Sequence, residues 1–291
     1  MSKSSKKQLL QRFLNWAESQ TDIRAVAMIG SAARLDHPAD EWSDYDLIIV
    51  ASDPQSYLAS TDWLETIGRP WCSILERLPT GNPIERRVLF EGGFDMDFII
   101  LSVENAQRDF QNTPMVREIC QRGMRVLWDR DSLLSTLSVP PIAVHEGQPP
   151  SIQAFLAVAN DFWFHAAWTA KKLCRGELWI AKRCCDTYLK DLLLRMMEWE
   201  AKAAHGWGID IWFGGHFLEE WALPETLEEL RQVFAYYDAK DVWRALEATM
   251  MLFRRITRET AKRLAYDYPI DGDEQVSAWI AQIHTENSAG S

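Results

Sequence analysis

The chain has 291 residues, of which 47% are hydrophobic and 25% charged, with a formal net charge of -11. That is the composition of a globular protein long enough for two domains with separate cores, and its acidity excludes the basic footprint by which proteins displace counterions from nucleic-acid phosphates. The opening MSKSSKKQLLQRFLNWAES lacks an apolar signal core, and no uncharged apolar run approaches the roughly 20 residues that cross a bilayer, so a cytoplasmic protein without membrane or nucleic-acid partners is expected.

In chain order, Leu9, Leu10, Phe13, Leu14 and Ala17 recur at helical spacing, which predicts an amphipathic helix over Lys6 to Gln20. IRAVAMIG (Ile23 to Gly30) and DLIIVA (Asp46 to Ala51) are short apolar runs rich in branched residues, as buried strands are. PQSYLASTDWLETIG starts with Pro54 and stops at Gly68, the punctuation of a helix. CSILERL, RRVLFE and DMDFIILS follow as strands, with TGNP as the turn between the first two. These make a mixed sheet of about five strands with helices on it. MVREICQRGMRVLWDRDSLLSTL continues as a helix, a glycine stop, a short strand and another helix.

The four prolines of SVPPIAVHEGQPP mark Ser138 to Pro150 as a linker. Beyond it, Ser151 to Arg175, Glu177 to His205, Pro224 to Tyr237 and Ala239 to Tyr266 show helical periodicity, and TENSAGS is expected to fray. The expected organisation is α+β: an α/β-type, mixed-sheet first domain over residues 1–137, a linker over 138–150 and an all-helical bundle over 151–291.

Chemistry concentrates in GSAARLDHPADEWSDYDL, residues Gly30 to Leu47. Side chains two apart on a strand share a face, so Asp44 and Asp46 project together at the start of the second strand; Asp95 and Asp97 form a similar pair on a later one. Converging carboxylates call for cations, and two Mg2+ ions about 3.5 to 4 Å apart support in-line displacement at phosphorus. Gly30-Ser31 lies where a strand ends and a helix can begin, so that free N-H groups and the Ser31 hydroxyl face phosphate oxygens. No GxxxxGK[ST] motif occurs, which excludes a P-loop. Five scattered cysteines and six histidines offer neither a disulfide framework nor zinc-ligand spacing, so any metal is a hard cation held by oxygen.

Gly-Ser, a loop, Asp-x-Asp entering an apolar strand and a further Asp on a later strand resemble the nucleotidyltransferase fold of the DNA polymerase beta superfamily. DEWSDYDLIIV, FDMDFIIL, NDFWFHAAWTAKKLCRGEL, LLLRMMEW and LFRRITRETAKRLAYDYP are similar, in order, to blocks of the aminoglycoside 6-adenylyltransferases, the streptomycin adenylyltransferase family. The resemblance covers nearly the whole chain. It implies a nucleotidyltransferase-fold sheet domain, ATP as co-substrate, Ser31 (with Gly30) at its phosphates, Asp44 and Asp46 on Mg2+, and Asp97 as third carboxylate. Asp97, rather than Asp95, occupies the family position, where it binds metal or accepts the proton of the acceptor hydroxyl. Many superfamily members carry Arg directly after Gly-Ser; here Ala32 stands there and the next arginine is Arg34.

Lys171, Arg175 and Lys182 are further candidates for the triphosphate, against the plain alternative of solvated helix charges. Asp161 stands where the family block has Glu and is a candidate for a drug cation, as are Asp186 and Asp191, which share a helix face with Glu198 in the periodic pattern. Trp163 is first a core residue and second a stacking surface. The expected activity is transfer of AMP from ATP to a hydroxyl of a cationic antibiotic, foremost the 6-hydroxyl of streptomycin, by a monomer or homodimer. The alternatives are another acceptor, such as a lincosamide, a different aminoglycoside or a protein side chain, and a non-catalytic binding protein on the same scaffold.

Overall fold

The computed structural model describes residues 6–34, 39–77, 84–134, 147–211 and 213–289. The chain forms two compact units, Met1–Ala143 and Val144–Ser291. The expected TGNP turn and most of the expected linker, residues 138–146, lie outside the described residues.

In the first unit, helix α1 (Lys6–Ser19) precedes strands β1 (Ile23–Ile29) and β2 (Tyr45–Ala51), with a tight 3-10 turn over Gly30–Ala33 after β1. Short helices α2 (Pro54–Ala59) and α3 (Leu64–Ile67) lead to β3 (Pro70–Arg77), β4 (Ile84–Phe90) and β5 (Phe94–Ser102). Helices α4 (Val103–Asn112) and α5 (Pro114–Arg122) and strand β6 (Arg125–Asp129) complete it. The sheet has six strands, in the order β3-β4-β5-β2-β1-β6, rather than about five, because β6 pairs with β1. Only β2 and β5 run parallel; the other neighbours are antiparallel.

Strand alternation gives the sheet two buried faces. Leu47, Ile49, Phe98 and Ile100 face α1, α2 and α3 in one core with Phe13, Trp63 and Leu64. Ile48, Val50 and Leu101 face the other way, against Ala106 of α4 and Cys120 of α5. By the same period, Asp46 shares the face of Ile48, and Asp97 that of Ile99 and Leu101.

Two expectations over this unit are corrected by local hydrogen bonding. The single helix expected from Pro54 to Gly68 is broken at Ser60: the Trp63 indole donates to the carbonyls of Tyr57 (3.3 Å) and Ser60 (3.1 Å), and Ser60 Oγ accepts from the Asp62 N-H at 3.1 Å. After β6 the chain turns at residues 130–134 instead of starting a helix there, since the Asp129 carboxylate accepts from the N-H groups of Leu133 (2.7 Å) and Leu134 (3.0 Å).

The second unit is helical: α6 (Ile152–Cys174), α7 (Leu178–Arg183), α8 (Leu189–His205), α9 (Leu218–Trp221), α10 (Pro224–Leu230), α11 (Ala239–Leu264) and α12 (Ile270–Ala289). Ser151 and Asp238 cap α6 and α11 by accepting from the N-H groups of Ala154 (3.1 Å) and Asp241 (3.0 Å). Helices α7 and α8 are joined by a π-helical turn over Cys184–Tyr188, so the segment expected as one regular helix changes phase midway. Helix α10 stops well short of Tyr237, because the carbonyls of Gln232 and Phe234 are taken by the Arg244 guanidinium at 2.6 and 2.9 Å. The expected frayed tail is corrected too: α12 continues to Ala289. Helix α12 is fastened through Asp273, which is fully buried and accepts from Arg254 at 2.6 to 3.0 Å, from Tyr268 Oη at 2.9 Å and from Ser277 Oγ at 3.1 Å. Among the described residues no helix is long and apolar enough to cross a membrane.

Candidate functional site

The opening motif is assembled at one end of the central strand pair. Asp40 accepts from the N-H groups of Trp42 and Ser43, both at 2.9 Å, forming a turn that delivers Asp44 to the start of β2. Asp46, two residues on, lies opposite Asp97 in the parallel register of β2 and β5. One carboxylate oxygen from each of Asp44, Asp46 and Asp97 falls within 4.8 Å of the others. Asp95 lies outside this group and is exposed, opposite Leu89 of β4.

The turn after β1 closes the cluster from the other side. Gly30 has φ +67°, and a Cβ there would stand 2.0 Å from Asp46 Oδ2, so only glycine allows both the turn and the carboxylate. The next residue, Ser31, has a buried Oγ with no hydrogen-bond partner among the described residues. Such an orphaned hydroxyl beside three converging carboxylates is the polar environment of an oxygen-rich ligand. Arg34 follows the turn, with its Cγ 2.8 Å from where a Cβ on Gly123 would stand.

Burial raises the carboxyl of Asp46 to about 7, helped by Asp44, Asp97 and Glu85 and opposed by Arg87. Asp97 is lifted to about 6 by burial, with Arg87 pulling the other way. Glu85 of β4, buried at the level of Ile99, is pushed to about 7 by burial and by the charge of Asp97. Desolvation and mutual repulsion thus raise the carboxyls of all three residues together.

Glu85 and Arg87 were not among the residues singled out from the sequence. Their signal is present in RRVLFE and its preceding residues: charged side chains two apart on a strand share a face, but which face depends on the pairing with β5. Arg87 lies directly opposite Asp97, and its Nε donates to Asp97 Oδ2 at 2.9 Å. Lys6, at the start of α1, sits in the field of Asp44, Asp40, Asp95 and Asp46 and 4.5 Å from the Tyr45 ring centre.

Of the candidates in the helical unit, Lys171 is exposed, 5.4 Å from the Trp279 ring centre, and Arg175 pairs with Glu177. Lys182 pairs with Asp186 and donates to the Ala235 carbonyl at 2.7 Å, while Asp186 Oδ1 is buried without a partner among the described residues. Asp161 meets His165 Nδ1 at 2.6 Å and accepts from Tyr188 Oη at 2.9 Å. Asp191 is exposed in the first turn of α8, and Asp186 lies within the π-helical turn that precedes it. Trp163 is a core residue: 3% exposed, edge-on to Phe162 at 5.3 Å and to Phe253 at 6.3 Å, with the Arg254 guanidinium 5.4 Å from its ring centre. Its ring is packed in the core of the helical unit.

Comparison with known proteins agrees with the sequence blocks. The streptomycin adenylyltransferase family model matches residues 3–283. An aminoglycoside 6-adenylyltransferase of Bacillus subtilis (strain 168) is 26% identical over 96% of this chain and 98% of its own length. Proteins of that name from Campylobacter jejuni and Staphylococcus aureus are 25% and 20% identical, over 95% and 91% of this chain and 94% of their own length in each case. A crystal structure of an aminoglycoside 6-adenyltransferase from Bacillus subtilis aligns at a TM-score of 0.46 and 24% identity, covering 96% of this chain and 98% of that one. With a match that runs through both units almost from end to end, the chain belongs to the streptomycin adenylyltransferase family.

Proposed function

We propose that this enzyme transfers AMP from ATP to a hydroxyl of an aminoglycoside, foremost the 6-hydroxyl of streptomycin, releasing pyrophosphate and inactivating the drug. The observation that carries this reading is the convergence of Asp44, Asp46 and Asp97 beside the Gly30-Ser31 turn. The donor set is all oxygen, and it suits Mg2+: hard, anionic ligands next to a turn that only glycine can make. Asp44 and Asp46 would hold the metal, with Asp97 as third ligand or proton acceptor. When bound, Mg2+ supplies charge neutralisation to the triphosphate and to the developing negative charge at phosphorus, the chemistry of a pair of ions in this reaction class.

The chain's own residues account for the rest. Ser31 Oγ and the N-H groups of the 3-10 turn bind phosphate oxygens and set the direction from which the α phosphorus is approached. Asp97 is the base that takes the proton of the attacking hydroxyl. The hydroxyl oxygen bonds to the α phosphorus as the bond to the bridging oxygen breaks and pyrophosphate leaves. An aminoglycoside is cationic, and a chain of net charge -11 attracts it.

The test is incubation with ATP, Mg2+ and a panel of aminoglycosides including streptomycin, with mass spectrometry for addition of AMP and a coupled assay for pyrophosphate. Adenylylated streptomycin is the expected product. Pyrophosphate release with a different acceptor would move the specificity, and no AMP transfer to any aminoglycoside would overturn the reading.

A further inference from the structure

Two consecutive arginines of β4 have opposite fates. Arg86 points into the protein, 4% exposed, and donates to the carbonyls of Tyr57 (3.2 Å) and Leu58 and to Ser73 Oγ (3.1 Å), which explains it as structure. Arg87 is on the other face, with its side chain 46% exposed. There its Nε meets Asp97 Oδ2 at 2.9 Å, its Nη1 lies 3.5 Å from Glu76 Oε2 of the edge strand, and Glu85 Oε2 stands 4.0 Å away. Asp97 is the buried partner of this pair, with its side chain 5% exposed, and Arg87 reaches it from the directly opposite position on β4.

We infer that Arg87 is a positioning residue for Asp97. The terminal torsion of an aspartate is soft, so the direction of its two oxygens needs a fixed partner. Arg87, itself held at the edge strand by Glu76, supplies that partner by occupying Oδ2. The second oxygen is then left to the cluster with Asp44 and Asp46, for metal or for the acceptor proton. The inference rests on the AMP-transfer reading given above. It makes a prediction of mixed sign: losing Arg87 removes a positive charge from the cluster and so does not weaken Mg2+ binding, yet it frees the carboxylate to turn and slows the chemistry.

The experiment is steady-state AMP transfer from ATP to streptomycin by the full chain, titrated with Mg2+, for wild type, Arg87→Met and Arg87→Lys. For Arg87→Met, kcat at saturating Mg2+ falls about 10- to 100-fold, the usual effect of removing a partner that orients a ligand. The KM values for ATP and aminoglycoside stay within about threefold, and the Mg2+ half-saturation does not rise. Arg87→Lys recovers part of kcat, since it returns the charge without the planar fork. A kcat within about twofold of wild type in Arg87→Met overturns the inference, as does a raised KM with kcat unchanged, which would make Arg87 a substrate contact. If Arg87→Met proves misfolded by circular dichroism, Arg87→Lys decides: an unchanged kcat overturns the inference and a severalfold loss supports it. A wild type that adenylylates no aminoglycoside defeats the functional reading and this inference with it; an active wild type with an equally active Arg87→Met defeats this inference alone.

Discussion

Asp46 and Asp97 come from strands far apart in the sequence and lie directly opposite each other in the parallel register of β2 and β5. With Asp44 they bring three carboxylate oxygens within 4.8 Å of one another, on a sheet face whose next residues, Ile48 and Ile99, are already in a core. Carboxylates so placed repel one another unless protons or cations intervene. Most of the behaviour expected of this enzyme follows from that arrangement.

On the proposed reading, neutralising Asp46 removes a metal ligand, and neutralising Asp97 removes a metal ligand or the proton acceptor, each with the side chain's shape kept. Asp46→Asn and Asp97→Asn should each lower AMP transfer at least about 10³-fold, given the several kcal/mol that metal ions contribute to phosphoryl transition states. Circular dichroism should be unchanged. Radiolabelled or mass-spectrometric product assays decide this, and turnover close to wild type in Asp46→Asn would sink the assignment.

The same groups make metal-free stability depend on pH. Burial holds the carboxyls of Asp46 and Glu85 at about 7 and that of Asp97 at about 6, all above their ordinary values. A folded-state value above the unfolded one means that the native protein binds more protons between about pH 4 and pH 7, so this contribution is fully present below about pH 4 and is lost as pH rises through the folded values. Asp46→Asn, which cannot ionise, should therefore melt at least about 2 °C above metal-free wild type at about pH 8, with the gap closing toward about pH 4. Mg2+ at the higher pH should raise the melting temperature of wild type more than that of the variant. Calorimetry showing a gap independent of pH would contradict the assignment.

Gly30 has no substitute. A left-handed backbone costs a non-glycine residue about 1 to 2 kcal/mol, and the alanine Cβ would also stand 2.0 Å from Asp46 Oδ2. Gly30→Ala should lose stability by about that amount in urea titrations and lose activity far beyond it, because Asp46 must move. An active Gly30→Ala would show that the turn does not shape the site.

In the helical unit, Asp273 joins α11 and α12 through a buried network. It is fully buried and meets the guanidinium groups of Arg254 and Arg258 and the hydroxyls of Tyr268 and Ser277. Asp273→Ala leaves Arg254 without its counter-ion and should cost about 3 to 5 kcal/mol. Equilibrium unfolding measures it; a loss below about 1 kcal/mol would mean that the surrounding helices compensate.

Much of this molecule is visible in local sequence. Alternation marks the strands, the capping residues Ser151 and Asp238 mark helix starts, and Asp44 and Asp46 two residues apart announce a shared face before any fold is known. What local pattern misses is where side chains compete with the backbone. The Trp63 indole breaks a helix, Arg244 ends another, and a π-helical turn at Cys184–Tyr188 interrupts a third.

By itself, then, the sequence determined the succession of strands and helices, the glycine-serine turn, the carboxylate pair and the family, because periodicity, turn chemistry and motif order are properties of neighbours along the chain. Only the tertiary structure brought Asp97 within reach of Asp44 and Asp46, added β6 as a sixth strand, and put Arg87 and Glu85 beside Asp97 while Arg86 serves the core. Those outcomes depend on strand register. A shift of one residue turns every side chain to the opposite face, and register is set by pairing between segments far apart in sequence.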